Sequence, residues 1–188
     1  MQKGDDTRAR MIAATADLLE RNGFRATGLN KILSESGAPR GSLYFHFPGG
    51  KEELAAAALR DAGAAVERVL RGRVDGMRTA AEGLAAALEF LEARMIAAEF
   101  DKGCPVVMVA LEAAASSDAL HEACSTIYRA WARAIADRLR EDGLPSDRAE
   151  ALAVVVLSAI EGALVLCRAH RDTAPLRRVA AELPRLLG

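Results

Sequence analysis

Gly37-Ala38-Pro39-Arg40-Gly41-Ser42-Leu43-Tyr44-Phe45-His46-Phe47, followed by Pro48-Gly49-Gly50-Lys51, is the stretch on which the fold turns. Gly37 ends one helix, and Pro39 suits the first turn of the next, where its missing N–H has no partner to lose and its φ is already helical. The spacing predicts a short helix over about Pro39 to His46 that inserts Leu43 and Phe47 into a small core and is stopped by Pro48, Gly49 and Gly50. Upstream, Thr27 and Gly28 open a helix in which Leu29, Ile32 and Leu33 repeat at helical spacing. Before that, a helix is expected from about Thr7 to Asn22, capped by Asp6 or Thr7 and stopped by Gly23, with Ile12, Ala16 and Leu19 on its buried face. Phe24 then plugs the core. Two short helices at a tight Gly turn, braced by a third, make a helix-turn-helix whose later helix can enter a major groove.

The side chains off the Leu43/Phe47 face suit a polyanion. Arg40, Ser42, Tyr44 and His46 offer a cation, two hydroxyls and an imidazole, while Gly41 is an odd choice inside a helix, where it costs about 1 kcal/mol relative to Ala. Close approach to a phosphate backbone would explain it. Lys51 opens the next helix and places an ammonium beside N-terminal amides, a favourable phosphate site. Residues 1–51 hold eight cations against five acids, a charge of +3 that leaves −4 for the rest of the chain. A basic head on an acidic body directs a polyanion to one end. Alternative readings stand beside two of these residues: a Tyr44 ring packed on the first helix, and a capping or core position for His46.

At these residues the sequence resembles the DNA-binding signature of the TetR/AcrR family of bacterial regulators, from Gly37 through Phe47 and on to Lys51-Glu52-Glu53-Leu54, with Ile12, Ala16, Leu19, Gly23, Thr27 and Ile32 also in register. The resemblance covers about the first 55 residues. It implies a homodimer on double-stranded operator DNA, a ligand-binding helical body of about six further helices, and repression relieved by a ligand. It also implies that Thr27, Arg40, Ser42, Tyr44, His46 and Lys51 touch DNA, mostly at phosphates, with Arg40 reaching a base edge and Gly41 allowing close approach. Ala38-Pro39 departs from the more usual Val-Ser or Val-Thr and removes a hydroxyl cap. Pro48-Gly49-Gly50, with Gly103-Cys104-Pro105, resembles a subgroup of drug- or flavonoid-responsive repressors.

The rest of the chain reads as long Ala-rich helices, and with 51% apolar and only 4% aromatic residues the whole is expected to be all-α, with about nine helices. Residues 1–50 form the helix-turn-helix domain and residues 51–188 the ligand-binding and dimerisation domain. The body helices are expected at Lys51 to Arg73, Met77 to Glu99, Val106 to Ala115, Ala119 to Glu141, a capping-box start at Asp147/Glu150 to His170, and Thr173 to Leu187. The apolar stretch Ala151 to Cys167 is broken by Ser158, Glu161 and Gly162 and reads as a buried helix, not a membrane span. Three widely spaced cysteines, Cys104, Cys124 and Cys167, suggest neither disulfides nor a zinc site, and the charged start shows no secretory signal, so a cytoplasmic protein is expected.

Phe90, Met95, Cys104, Val107, Met108, Leu111, Trp131 and Ile135 are candidates to line a cavity for an apolar or aromatic effector, with solid core as the plainer reading of each. Cys104 and Cys167 could sense oxidants or simply pack. Ala153, Leu157, Ile160 and Leu164 on the eighth helix, with Leu176 and Leu183 on the ninth, form stripes that suit a four-helix dimer interface. No catalytic, metal or cofactor motif is present: His46, His121 and His170 lack ligand spacing, no nucleophile elbow occurs, and Gly49-Gly50-Lys51 lacks the rest of a P-loop. The competing reading is a helical small-molecule carrier or interaction module without DNA binding.

Overall fold

A computed structural model describes residues 2–74 and 79–187, with side chains for 6–71 and 79–187. Within them the chain forms nine α-helices and no strand: α1 Gln2–Asn22, α2 Leu29–Ser36, α3 Arg40–His46, α4 Gly50–Val74, α5 Ala80–Ala97, α6 Pro105–Ala113, α7 Asp118–Glu141, α8 Ser146–His170 and α9 Ala174–Leu187. The start expected near Met77 lies outside the described residues. In the described part of α5, the Thr79 hydroxyl accepts from the Glu82 N–H at 3.2 Å and so caps the helix. Helix α1 starts earlier than Asp6 or Thr7, so neither residue is its cap. The Asp147/Glu150 capping box is also absent. Pro145 stands at the α8 N-cap with no side-chain bond, and Glu150 is drawn instead to Arg140 at 2.8 Å.

The chain divides into two compact units, Met1–Ala64 with Cys104–Ile127, and Ala65–Gly103 with Tyr128–Gly188. The division falls inside α4 and inside α7. The first unit groups α1, α2 and α3 with the first part of α4, with α6 and with the start of α7. Its helix-turn-helix core joins Met11, Leu18, Ile32, Leu43, Phe47 and Leu54, all buried, with Ile12, Leu29 and Leu33 partly buried at its edge. Removing such residues from water supplies most of the stability of so small a core. Arg8 stacks over the Phe47 ring at 5.3 Å, and Arg10 donates to the Ser36 carbonyl at 2.7 Å, tying α1 to the end of α2. In the second unit α9 packs on both α5 and α8.

Helix α8 is long and apolar enough, by length and composition, to cross a membrane. Instead it shares a buried face with α9, formed by Leu152, Ala153, Val156, Ile160, Ala163, Leu164 and Cys167. The opposite side keeps Val154, Val155, Val165 and Leu166 exposed.

Candidate nucleic-acid interface

The turn between α2 and α3 follows from Gly37, which ends α2 in the left-handed region at φ +62°. Its N–H and that of Ala38 return to the Ser34 and Leu33 carbonyls at 3.4 and 3.2 Å, a closure that favours glycine because a side chain disfavours positive φ. Pro39 occupies the N-cap of α3 rather than its first turn, with ψ 143°, and its carbonyl accepts from Ser42 N–H at 2.9 Å. Phe47 N–H closes the helix on the Leu43 carbonyl at 2.7 Å, and Gly50, at φ +68°, starts α4. Glu53 reaches back to accept from Gly49 N–H at 2.7 Å, a charge-assisted bond at a helix N-terminus.

This frame turns Leu43 and Phe47 inward, each 1% exposed, and leaves Arg40, Gly41, Tyr44 and Phe45 exposed with Ser42 and His46 half-buried. Tyr44 is 59% exposed and does not pack away inside the head. The Arg40 guanidinium donates to Asn30 on α2 at 2.6 Å, which orients it along the outer surface of the pair. Nothing lies within 4 Å of a Cβ built on Gly41, so no neighbour in the chain demands glycine there. Phe45, not singled out from the sequence, is 80% exposed and meets the His46 ring edge-on at 4.9 Å. Its place opposite Leu43 and Phe47 on a 3.6-residue helix was the signal that could have found it.

Of the residues expected on DNA, Thr27 is withdrawn from the surface and Lys51 is partly so. Thr27 is fully buried, and its hydroxyl donates to the Gly23 carbonyl at 2.6 Å, so it braces the turn after α1 and presents no side chain outward. Lys51 is half-buried with its ammonium 4.1 Å over the Phe24 ring. Phe24 is thus half-buried too, a platform for the ammonium more than a core plug. Burial lowers the Lys51 pKa from its ordinary value, against the opposing pull of Glu112 on α6. The Glu112 carboxylate also accepts from Arg25 N–H at 2.7 Å, in space that only a glycine at position 23 leaves open. Nearby, Ser117, just before α7, is buried and donates to Glu52 at 2.6 Å. Polar groups of α6 and of the approach to α7 therefore meet the turn after α1 and the first turn of α4.

The effector candidates are split between the two units, so neither unit holds them all. Met95, Trp131 and Ile135 are buried and Phe90 half-buried in the second unit, where Trp131 meets Tyr128 edge-on at 5.6 Å. Cys104, Val107 and Met108 are half-buried in the first unit, whereas Leu111 is 83% exposed and lines no interior. Burial pushes the Cys124 and Cys167 thiols up, which disfavours the reactive thiolate and fits packing. Among the dimer candidates, Ala153, Ile160, Leu164, Leu176 and Leu183 are buried inside the protomer by the packing of α8 and α9, and Leu157 is half-buried. The outward stripe on α8 is the adjacent one of Val154, Val155, Ser158, Gly162, Val165 and Leu166.

Comparison with known proteins agrees with this arrangement. Residues 11–58 match the family of bacterial regulatory proteins called tetR, and residues 80–182 match the C-terminal domain of LmrA/YxaF-like transcriptional regulators. The HTH-type transcriptional regulator LmrA of Bacillus subtilis is 36% identical over 97% of both chains. YxaF of the same organism is 34% identical over all of this chain and 98% of its own. In fold, the regulatory protein TetR from Rhodobacter sphaeroides superposes with a TM-score of 0.85 at 24% identity, covering 95% of this chain and 97% of that one. These families and relatives are regulators of transcription, not enzymes. The chain therefore belongs to the TetR family of transcriptional regulators, with an LmrA/YxaF-like C-terminal domain.

Proposed function

We propose that the protein is a ligand-responsive repressor that binds palindromic operator DNA as a homodimer, with residues 1–50 as the DNA-binding head and 51–188 as the effector-binding and dimerising body. The observation that carries this reading is the surface of α3: a short helix with Leu43 and Phe47 inward presents a cation, hydroxyls and aromatic rings outward, around a glycine that its own chain does not require. Such a helix fits a major groove, and two of them about 34–36 Å apart fit successive grooves on one face of a duplex. Arg40 is the residue we assign to a base edge, with Ser42, Tyr44 and His46 on the phosphates to either side. Lys51 serves the phosphates from the start of α4, its ammonium seated over Phe24.

Pairing through α8 is supported by its apolar outward stripe, and Gly162, where a built Cβ would meet nothing within 4 Å, permits close approach of a second helix. We assign the effector to the body, and the apolar character of Met95, Trp131 and Ile135 favours an apolar or aromatic molecule. Release follows if the effector favours a body conformation in which the heads no longer match the groove spacing.

The test is duplex binding by an Arg40→Ala, Lys51→Met double variant, the methionine keeping the stem that rests on Phe24. We expect a salt-dependent, palindrome-specific shift for the wild-type protein, with the slope of log affinity against log salt falling by about 1 for each phosphate contact removed. Equal affinity and equal salt slope in the variant, with its melting curve unchanged, would sink the assignment. A wild-type protein that binds no duplex even at low salt would make it a carrier or interaction module.

A further inference from the structure

We propose that Phe45 reads thymine through its 5-methyl group, and that Gly41 is the gap through which the helix backbone comes close enough for the ring to reach. The inference rests on the DNA-binding reading above and adds to it a residue and a base. At about 100° per residue, the outward ridge of α3 is the one opposite the midpoint of Leu43 and Phe47. Phe45 lies on that ridge, and Gly41 lies one turn before it. Tyr44 flanks it on one side and Ser42 and His46 on the other, while Arg40 stands at the start of the helix, further round from Phe45.

Both ridge positions are unexplained by the chain itself. Phe45 is 80% exposed, an apolar ring left in water apart from its edge contact with His46 at 4.9 Å. Gly41 has no neighbour within 4 Å of a built Cβ and no positive φ to justify it. A helix that forgoes a better residue at one site and exposes a phenyl ring at the next turn is shaped for a surface outside the chain. The chemistry of that surface follows from what phenylalanine lacks. It has no donor or acceptor, so it cannot read the hydrogen-bonding edges of guanine, cytosine or adenine, and it gains nothing from a phosphate. The thymine methyl is the one apolar group that a base presents in the major groove, and phenyl contact with it is a recognised mode of readout. Ser42, Tyr44 and His46 are then free to hold the groove walls, where phosphates lie, with Arg40 kept for a base edge.

The experiment selects duplexes from a random pool with the wild-type protein and with Phe45→Ala, and then replaces each thymidine of the wild-type consensus duplex by deoxyuridine, which removes only the methyl. Expected is one thymine position per half-site at which the deoxyuridine duplex binds wild-type protein about four-fold more weakly, the factor that burying one methyl carries. Phe45→Ala should bind the thymidine duplex more weakly, show no difference between the two duplexes and lose the preference for thymine in selection. Because the Phe45 ring is exposed, the variant should keep the wild-type melting curve, which serves as the folding control. Wild-type affinity indifferent to every methyl, or a methyl effect that persists in Phe45→Ala, overturns the proposal while leaving DNA binding intact. Failure of the wild-type protein to select any duplex overturns this proposal and the DNA-binding reading together.

Discussion

Gly41 and Thr27 show how residue identity and residue role can part. Gly41→Ala adds a methyl that meets nothing within 4 Å and restores a helix former, so the protein should gain about 1 kcal/mol of stability in denaturant titration. The same methyl should lower affinity for the selected duplex about four-fold, by holding the Phe45 ring off the thymine methyl. A variant that gains stability and keeps full affinity would show that the gap serves nothing outside the chain. Thr27→Val reverses the pattern. It removes the hydroxyl bonded to the Gly23 carbonyl and should cost about 1–3 kcal/mol of stability, with duplex affinity little changed once the protein is folded. The threonine was legible as a residue of the motif, but the spacing did not show that its hydroxyl is already engaged by the Gly23 carbonyl in the turn after α1.

Helix ends show the same division between what is local and what is not. Glycine stops at Gly23 and Gly37, and the stop after α3, were readable because each is a local conformational demand met by a residue type. The Asp147/Glu150 capping box failed because a competing partner, Arg140 on α7, holds Glu150 at 2.8 Å. Where α9 begins, Thr173 is buried and donates to Glu92 of α5 at 2.6 Å, and Arg177 meets the same carboxylate at 2.8 Å. The Thr173 hydrogen bond, reinforced by Arg177, holds the Glu92 carboxyl below its ordinary value of 4.5. A carboxylate with a depressed folded pKa adds stability that is full above its unfolded value and is lost as pH falls through the folded one. The melting temperature should therefore fall more steeply with acidification below about pH 4.5 in the wild-type protein than in Glu92→Gln. Parallel curves for the two proteins would exclude the clamp.

For the assembled protein, the outward face of α8 is the surface we propose to decide oligomeric state. Val165→Glu places a carboxylate within the exposed apolar stripe, where it costs the isolated protomer little. In a dimer paired through α8 it would be buried unpaired, and such a charge costs several kcal/mol, so association should weaken roughly a hundred-fold or more. Light scattering after size exclusion should show a monomer with unchanged helix content and operator affinity reduced to that of one half-site. A Val165→Glu protein that remains dimeric would move the interface elsewhere. Leu164 or Leu183 would be the wrong choice for this test, because each is buried within the protomer and its substitution would damage the fold itself.

Taken alone, the amino-acid order determined the helical class, the three-helix head and the inward pair Leu43 and Phe47, because periodicity, glycine stops and proline starts act over a few neighbouring residues. It also carried the family, since several residue types at set spacings leave few alternatives. Which face of each helix stays in water was decided only by tertiary packing. The choice between Ile160 and Val165 as outward residue and the seating of Lys51 over Phe24 both depend on partners far along the chain. An apolar stripe announces that it will be covered, and its own spacing does not say by what.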